Sequence, residues 1–283
     1  ATPCTVAGNM PVAYLGKKGS FASLVARQRY PDAETVSQPT IGDLVTYVKE
    51  GADRMGVVPI ENSSGGIIFD TVDAFVDDSF NLFILEETRI RVRYALLGKS
   101  GQPIQTILSH YAALRHCAAW IRSTYPAVRT QPVASTSEAA AMAAAGSQLA
   151  AISTRESANE YGLDVLHFPI MDSVPNITQF FTIGHAPVNY SGSGGNTSLV
   201  ATLDNSPGSL FRFLKPFHDL GVNLNRIQSR TIPGDSSACK FFVGLEGVES
   251  ETNVGRAIEL ARPLTVALQL LGSYPRLMAP YES

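Results

Sequence analysis

Three cysteines, one tryptophan and a charged fraction of 17% leave this 283-residue chain short of several kinds of chemistry. Cys4, Cys117 and Cys239 are odd in number and far apart. No Cys-x-x-Cys pair occurs, and no histidine stands at metal-ligand spacing from them. That excludes a disulfide framework or a zinc ribbon and fits isolated reduced thiols. The charges nearly balance, 22 basic against 25 acidic for a net of −3. No basic excess exists to neutralise a phosphate backbone, so nucleic acid is not an expected partner. No apolar run approaches the roughly 18–20 residues of a membrane-spanning helix, so no membrane partner is expected either. The least polar stretch, Glu138 to Ala151, is interrupted by Gly146, Ser147 and Gln148 and reads as a helix followed by a buried strand. Residues 1–10 carry neither a charged n-region nor an apolar h-region. No secretory leader is expected there, and a cytoplasmic location follows. Without a leader, the Asn-x-Ser/Thr matches at Asn62, Asn176 and Asn196 read as chance.

What is present is an alternation of short apolar runs with helical spacing. Val12–Leu15, Arg54–Val58 (closed by Pro59), Asn81–Leu85, Ile90–Leu97, Thr106–Leu108, Leu149–Ile152 and Phe180–Ile183 read as strands. Phe21–Tyr30 behind the N-cap Ser20, Ile41–Glu50, Thr71–Val76, Ala112–Tyr125 and a helix behind Ser135 read as helices. Glu138, three residues after Ser135, completes a capping box. This order predicts an α/β fold with mostly parallel sheets. Tyr190-Ser-Gly-Ser-Gly-Gly-Asn196 is a Gly/Ser linker, flexible by composition. Beyond it, strand Thr197–Leu203, a helix with apolar Leu210, Phe211, Leu214, Phe217 and Leu220, strands Val222–Ser229 and Cys239–Leu245, a helix Glu251–Ala261 and a strand Val266–Leu271 give a βαββαβ order. That is a small α+β sheet with helices on one face. Pro216 inside the first of these helices removes one backbone hydrogen bond.

Three polar clusters stand at element ends. Gly16-Lys-Lys-Gly19-Ser20-Phe21 opens a helix after a strand, where backbone amides suit an anion or simply make a tight turn. Gly56 to Gly65 ends a buried run in Glu61, Asn62, Ser63 and Ser64. That is either a ligand site at a strand end or a capped helix start. Asp172-Ser-Val-Pro-Asn176-Ile-Thr178-Gln179-Phe180-Phe181 brings an acid, an amide and a hydroxyl to the head of an apolar strand. His167, His185 and His218 lack metal partners at ligand spacing. Trp120 reads as core, while Tyr94 and Tyr111 suit either a cleft or ordinary packing.

Together these segments, with Ser109-His110, Ser135-Thr136 and Tyr161-Gly162-Leu163, resemble the prephenate dehydratase family over about residues 12–276. Pro207-Gly208-Ser209-Leu210, Ser229-Arg230 and Leu271-Gly-Ser-Tyr-Pro275 resemble its C-terminal ACT regulatory domain. The resemblance implies a two-lobed catalytic domain similar to periplasmic binding proteins over residues 10–188, with the second lobe at about 88–170. An ACT domain over 196–277 would follow. It implies conversion of prephenate to phenylpyruvate, water and CO2 with no metal or organic cofactor. Thr178 would serve the leaving hydroxyl, and Glu61, Asn62 and Ser63 would share the catalytic work. Gly19, Ser20, Phe21, Ser109, Ser135, Thr136, Asn176, Gln179 and Phe180 would bind substrate. Phenylalanine would act as effector at Gly208, Ser209, Leu210, Gln228, Ser229 and Arg230, in a homodimer or homotetramer.

Departures from the pattern sharpen the reading. The family's Thr-Arg-Phe is Thr178-Gln179-Phe180 here, a neutral amide in place of a forked cation. Carboxylate binding would weaken by about 1.5–3 kcal/mol unless another charge replaces it, and Arg27, Arg89, Arg91 and Arg93 are the candidates. The family's Ser-His-Pro-Gln reads Ser109-His110-Tyr111-Ala112, its Gln-Cys reads His116-Cys117, and a histidine near the lobe crossover reads Tyr94. Glu-Ser-Arg-Pro reads Gln228-Ser229-Arg230-Thr231. An ordinary dehydratase, a specialised relative and a non-catalytic amino-acid sensor all remain open at this point. The relative would be a prephenate decarboxylase, an arogenate dehydratase or a dehydratase of secondary metabolism. Retention of Thr178 favours elimination.

Overall fold

The alternating runs build three sheets. The computed structural model describes residues 10–170, 175–188, 190–232, 234–277 and 281–282. Strands β1 (Val12–Leu15), β2 (Thr35–Gln38), β3 (Met55–Asn62), β4 (Gly66–Ile67) and β5 (Phe83–Arg91) are joined through α1 (Phe21–Arg29), α2 (Ile41–Lys49) and α3 (Phe69–Val76). Ser20 and Thr40 cap α1 and α2 by accepting the N–H of Ser23 and Asp43. The chain then crosses to a second lobe. This lobe holds β6 (Ala95–Gly98), β7 (Thr106–Ser109), α4 (Tyr111–His116), α5 (Ala118–Thr124), β8 (Arg129–Pro132), α6 (Thr136–Ala145), β9 (Leu149–Ser153), α7 (Ser157–Tyr161) and β10 (Asp164–His167). Its sheet order is β10-β6-β9-β7-β8. The chain returns as β11 (Ile177–Gly184), which inserts antiparallel between β5 and β3 in the first lobe. The two crossings run side by side, tied by Val92 N–H to Asn176 O and Ile170 N–H to Tyr94 O.

The last unit is β12 (Gly195–Asp204), α8 (Ser209–Asp219), β13 (Leu224–Ile232), β14 (Asp235–Glu246), α9 (Thr252–Ala261) and β15 (Ala267–Pro275), in sheet order β13-β14-β12-β15. A short β16 (Tyr281–Glu282) pairs parallel to β5. The period-2 alternation divides this sheet's residues cleanly. Leu199, Ala201, Leu203, Val243 and Leu245 face α8 and α9. Val200, Phe242, Leu271 and Tyr274 instead join Phe75, Phe80 and Phe181 in a core shared with the first lobe. The Gly/Ser linker therefore connects two units that are packed together, not two bodies held only by a flexible tether.

Four other local expectations change. Pro59 does not end β3. Strand β1 pairs only with Met55–Val57. Pro59 sits beyond it, opposite Phe180 at a register shift, so its missing N–H breaks no regular ladder. Strand β5 is continuous through Glu86 and Glu87, whose charges look like a break in sequence but are buried and partnered. Glu86 takes both guanidinium arms of Arg29 at 2.7 and 2.8 Å and the Tyr30 hydroxyl at 2.6 Å. Glu87 accepts from Asn196 of the last unit at 3.0 Å. The helix expected over 112–125 divides at Cys117, where ψ rises to 3°. Both lobes carry mixed sheets, because β11 in the first and β6 in the second run antiparallel to both neighbours.

Candidate active site

The site grows from one strand pair. In the β3/β11 register, Thr178 stands opposite Asn62 and Gln179 opposite Glu61. Successive side chains point to opposite faces, so Asn62 and Thr178 share the face toward the interlobe cleft while Glu61 and Gln179 share the other. On the cleft face, the Asn62 amide is fixed at both ends. Its oxygen accepts the N–H of Ser64 (2.9 Å) and of Gly65 (2.8 Å). Its nitrogen then donates to Asn176 Oδ1 (2.7 Å) and Thr178 Oγ1 (2.8 Å). The Thr178 oxygen is thus an acceptor toward Asn62, and its own hydrogen is left for whatever lies in the cleft. Ser63 does not enter this set. Its hydroxyl donates to Pro175 O and accepts the N–H of Ile177, clamping β3 to the start of β11.

The facing wall comes from the second lobe. Asn62, Ser64 and Asn176 on one side and Tyr94, Ala112, Arg115 and His116 on the other enclose about 110 Å³. The lobes touch across it. Arg115 Nη2 donates to Ser64 O at 3.3 Å, and the Ser64 hydroxyl lies 3.4 Å from His116 Nδ1. A second bridge forms where Gly19 O accepts from Thr154 Oγ1 (2.6 Å) and Ser157 Oγ (3.2 Å). At Gly19, with φ +87°, a Cβ would lie 2.9 Å from Ser157 Oγ, so glycine suits both the backbone and the space. Helix α4 starts at His110, whose ring Nδ1 accepts the Ala112 N–H at 3.4 Å. Burial lowers the pKa of this histidine and favours the neutral ring that can accept.

The other residues expected to bind substrate are held in structural contacts. Ser20 is spent on capping α1 and donating to Leu15 O. Phe21 packs edge-on against Tyr94, and Tyr94 in turn lies 5.9 Å from His116. Ser109 is fully buried, its hydroxyl donating to Ile152 O at 2.6 Å. Ser135 caps α6, with Glu138 reaching back to the Ala134 N–H, and Thr136 begins the helix. Phe180 is a core residue at 2% exposure. Tyr111 is exposed and stacks on His110. Asp172 lies outside the described residues.

Gln179 and Glu61 meet a partner that the sequence did not announce. Arg226, from β13 of the last unit, donates to Gln179 Oε1 at 2.5 Å and to Glu61 Oε2 at 3.1 and 3.3 Å. Its guanidinium also lies 5.4 Å from the Phe181 ring centre. A positive charge therefore does stand beside Gln179 on the face away from the cleft, and Arg89 of β5 lies directly opposite Gln179 on its other side. Among the described residues that line the cavity, the arginine is Arg115. The signal for it was available, since Ala112, Arg115 and His116 sit at i, i+3 and i+4 on one helical face. For Arg226 no local signal exists.

The C-terminal candidates are dispersed. Gly208 takes φ +80° at the head of α8, the Ser209 hydroxyl donates to Asp204 at 2.9 Å, and Leu210 packs under the helices. Gln228 and Arg230 share the face of Arg226, and Ser229 takes the other. Arg230 forms a two-armed pair with Asp73 of α3 and stacks over Phe69. Among the described residues no group of three or more His, Cys, Asp or Glu side chains converges to hold a metal ion. No helix among them is long and apolar enough to cross a membrane.

Comparison with known proteins agrees with this architecture. The bifunctional chorismate mutase/prephenate dehydratase of Pseudomonas aeruginosa is 34% identical over 272 residues, covering 94% of this chain and 73% of that protein. The solved prephenate dehydratase of Arthrobacter aurescens in complex with L-Phe superposes with a TM-score of 0.87 at 27% identity, over 95% of this chain and 93% of that one. A structure described as GqqA, a novel type of quorum-quenching acylase, superposes with a TM-score of 0.85 at 25% identity, over 95% and 98% of the two chains. The family pattern of prephenate dehydratase matches residues 12–188, and this chain belongs to the prephenate dehydratase family, a family of decarboxylating carbon–oxygen lyases.

Proposed function

We propose that the interlobe cleft converts prephenate to phenylpyruvate, with Thr178 donating a hydrogen bond to the departing hydroxyl. The carbon–oxygen bond at the ring hydroxyl breaks, and the oxygen leaves as water with one proton taken up from solvent. The bond to the ring carboxyl breaks as CO2 departs, and its electron pair completes the aromatic ring. Hydroxide is a poor leaving group, so a donor at that oxygen lowers the barrier most directly. One observation carries the reading. The fixed Asn62 amide makes the Thr178 oxygen an acceptor, which leaves its hydrogen as the donor for the cleft. Arg115 lines the cavity beside Asn62 and Asn176 and is placed to take a substrate carboxylate. Glu61 and Gln179 support the strand pair from behind.

The test is product analysis by mass spectrometry after incubation with prephenate. Phenylpyruvate from the wild type and its loss in Thr178→Ala support the reading. A decarboxylated product that keeps its hydroxyl identifies the decarboxylase alternative, and turnover of arogenate alone identifies the amine-bearing substrate.

The βαββαβ unit is read as an ACT regulatory domain over 196–277, behind a catalytic domain over 10–188. This reading is supported by the strand order and by the family pattern ending at residue 188. Phenylalanine is its proposed effector, and a homodimer or homotetramer in the cytoplasm its proposed state. Kinetics and light scattering across a wide phenylalanine range test this, and unchanged values in both would refute it.

A further inference from the structure

The Glu61–Arg226–Gln179 cluster joins the last unit to the back of the reacting strand pair. Arg226 is 9% exposed, and its side chain spans β3 and β11 at the cross-strand pair next to Asn62 and Thr178. The β3/β11 ladder shifts register between Gln179 and Phe180, so regular pairing stops one residue past Thr178. At such an irregularity the spacing of the strands is not fixed by backbone hydrogen bonds alone. A charged, forked group bonded to both strands fixes it instead.

We infer that Arg226 is a positioning residue for the cleft: by holding Glu61 to Gln179 on one face, it sets the Asn62–Thr178 hydrogen bond on the other. The inference rests on the role proposed for Thr178. It makes the last unit part of the catalytic geometry, whatever ligand that unit binds. Substrate does not touch Arg226, so its loss acts on turnover and not on binding.

The test is steady-state kinetics on the full chain, with melting temperature measured in parallel. Arg226→Gln is expected to lower kcat about 10- to 100-fold, the range for a small misplacement of a reacting group, with KM unchanged. Arg226→Lys keeps the charge but not the fork and is expected to fall between. Gln179 and Glu61 are directly opposed, so an arginine at 179 can bond Glu61 from within the sheet. The double variant Arg226→Gln/Gln179→Arg is therefore expected to recover most of the kcat. Recovery also shows that the single variant was folded and misaligned, not merely unstable. An unchanged kcat in Arg226→Gln overturns the inference. A raised KM with intact kcat also overturns it, by making Arg226 a binding group. A double variant that melts normally but stays slow overturns it too. If Thr178→Ala retains full activity, the proposed function fails regardless. If Thr178→Ala is inactive and Arg226→Gln is not impaired, only the inference on Arg226 fails.

Discussion

The two faces of the β3/β11 strand pair use opposite chemistry. The cleft face carries Asn62, Asn176 and Thr178, neutral groups joined by amide and hydroxyl hydrogen bonds. The opposite face carries a carboxylate, a guanidinium and an amide, and beyond them the aromatic core of Phe75, Phe181, Phe242 and Tyr274. Neutral groups in the cleft leave room for a dianion to bring its own charge. Ion pairing behind the strands holds them without placing a competing carboxylate beside the substrate. One residue of register separates the two functions, which is why a slip here would damage both.

Substitutions that strike only one face sharpen this contrast. The largest effect belongs to the cleft. Thr178→Ala should lower kcat about 10²- to 10⁴-fold, the usual scale for a positioned proton donor, without moving the melting temperature. On the far face, Phe242→Ala should cost about 3–5 kcal/mol of unfolding free energy, read by urea titration, with activity lost through unfolding and not through kcat. Asn62→Asp is a finer cut within the cleft. The carboxylate still accepts from Ser64 and Gly65, but it accepts a hydrogen bond from the Thr178 hydroxyl instead of donating to its oxygen. A loss of about 100-fold in kcat is expected, the lower range for removing proper donation. Arg115→Gln, across the cleft, should raise KM about tenfold and leave kcat intact, since one charged hydrogen bond to a carboxylate is lost.

The smallest effect concerns acid. His110 has its pKa lowered by burial, so between its folded and unfolded values the unfolded chain holds more protons. Its contribution to stability is complete above the ordinary histidine value and is lost as pH falls through the lowered one. Helix α4, which carries Arg115 and His116, depends on the neutral ring as its cap. His110→Asn keeps a capping acceptor that does not titrate and should flatten the acid limb of a thermal-stability profile.

Much of this arrangement was legible in the chain, for identifiable reasons. The strand-end clusters at Asn62 and Asn176–Thr178 were readable because polar residues bounding buried runs have few places to go. The caps at Ser20 and Ser135 followed from side chains that satisfy the first N–H groups of a helix. Alternation even assigned Asn62 and Thr178 to one face once their strands were paired. What it could not supply was the pairing itself. Gln179 looked like a weakened substrate ligand because its true partner, Arg226, lies 47 residues on in sequence and in another unit. The sequence pattern divides strand β5 because Glu86 and Glu87 look solvated until Arg29, Tyr30 and Asn196 are brought to them. The linker's composition described its own flexibility, not the affinity of the surfaces on either side.

The return of β11 has a consequence for the order in which the chain is made. The first lobe's sheet needs residues 12–91 and then 177–184, while the second lobe needs only the stretch between. A ribosome therefore delivers the whole second lobe before the strand that completes the first, at about 5–20 residues per second. Until then the edges of β3 and β5 that flank β11 lack their partner, with the gap between them at the place Thr178 will fill. The insertion is synthesised before the strand that completes its host, and Thr178 arrives on that closing strand.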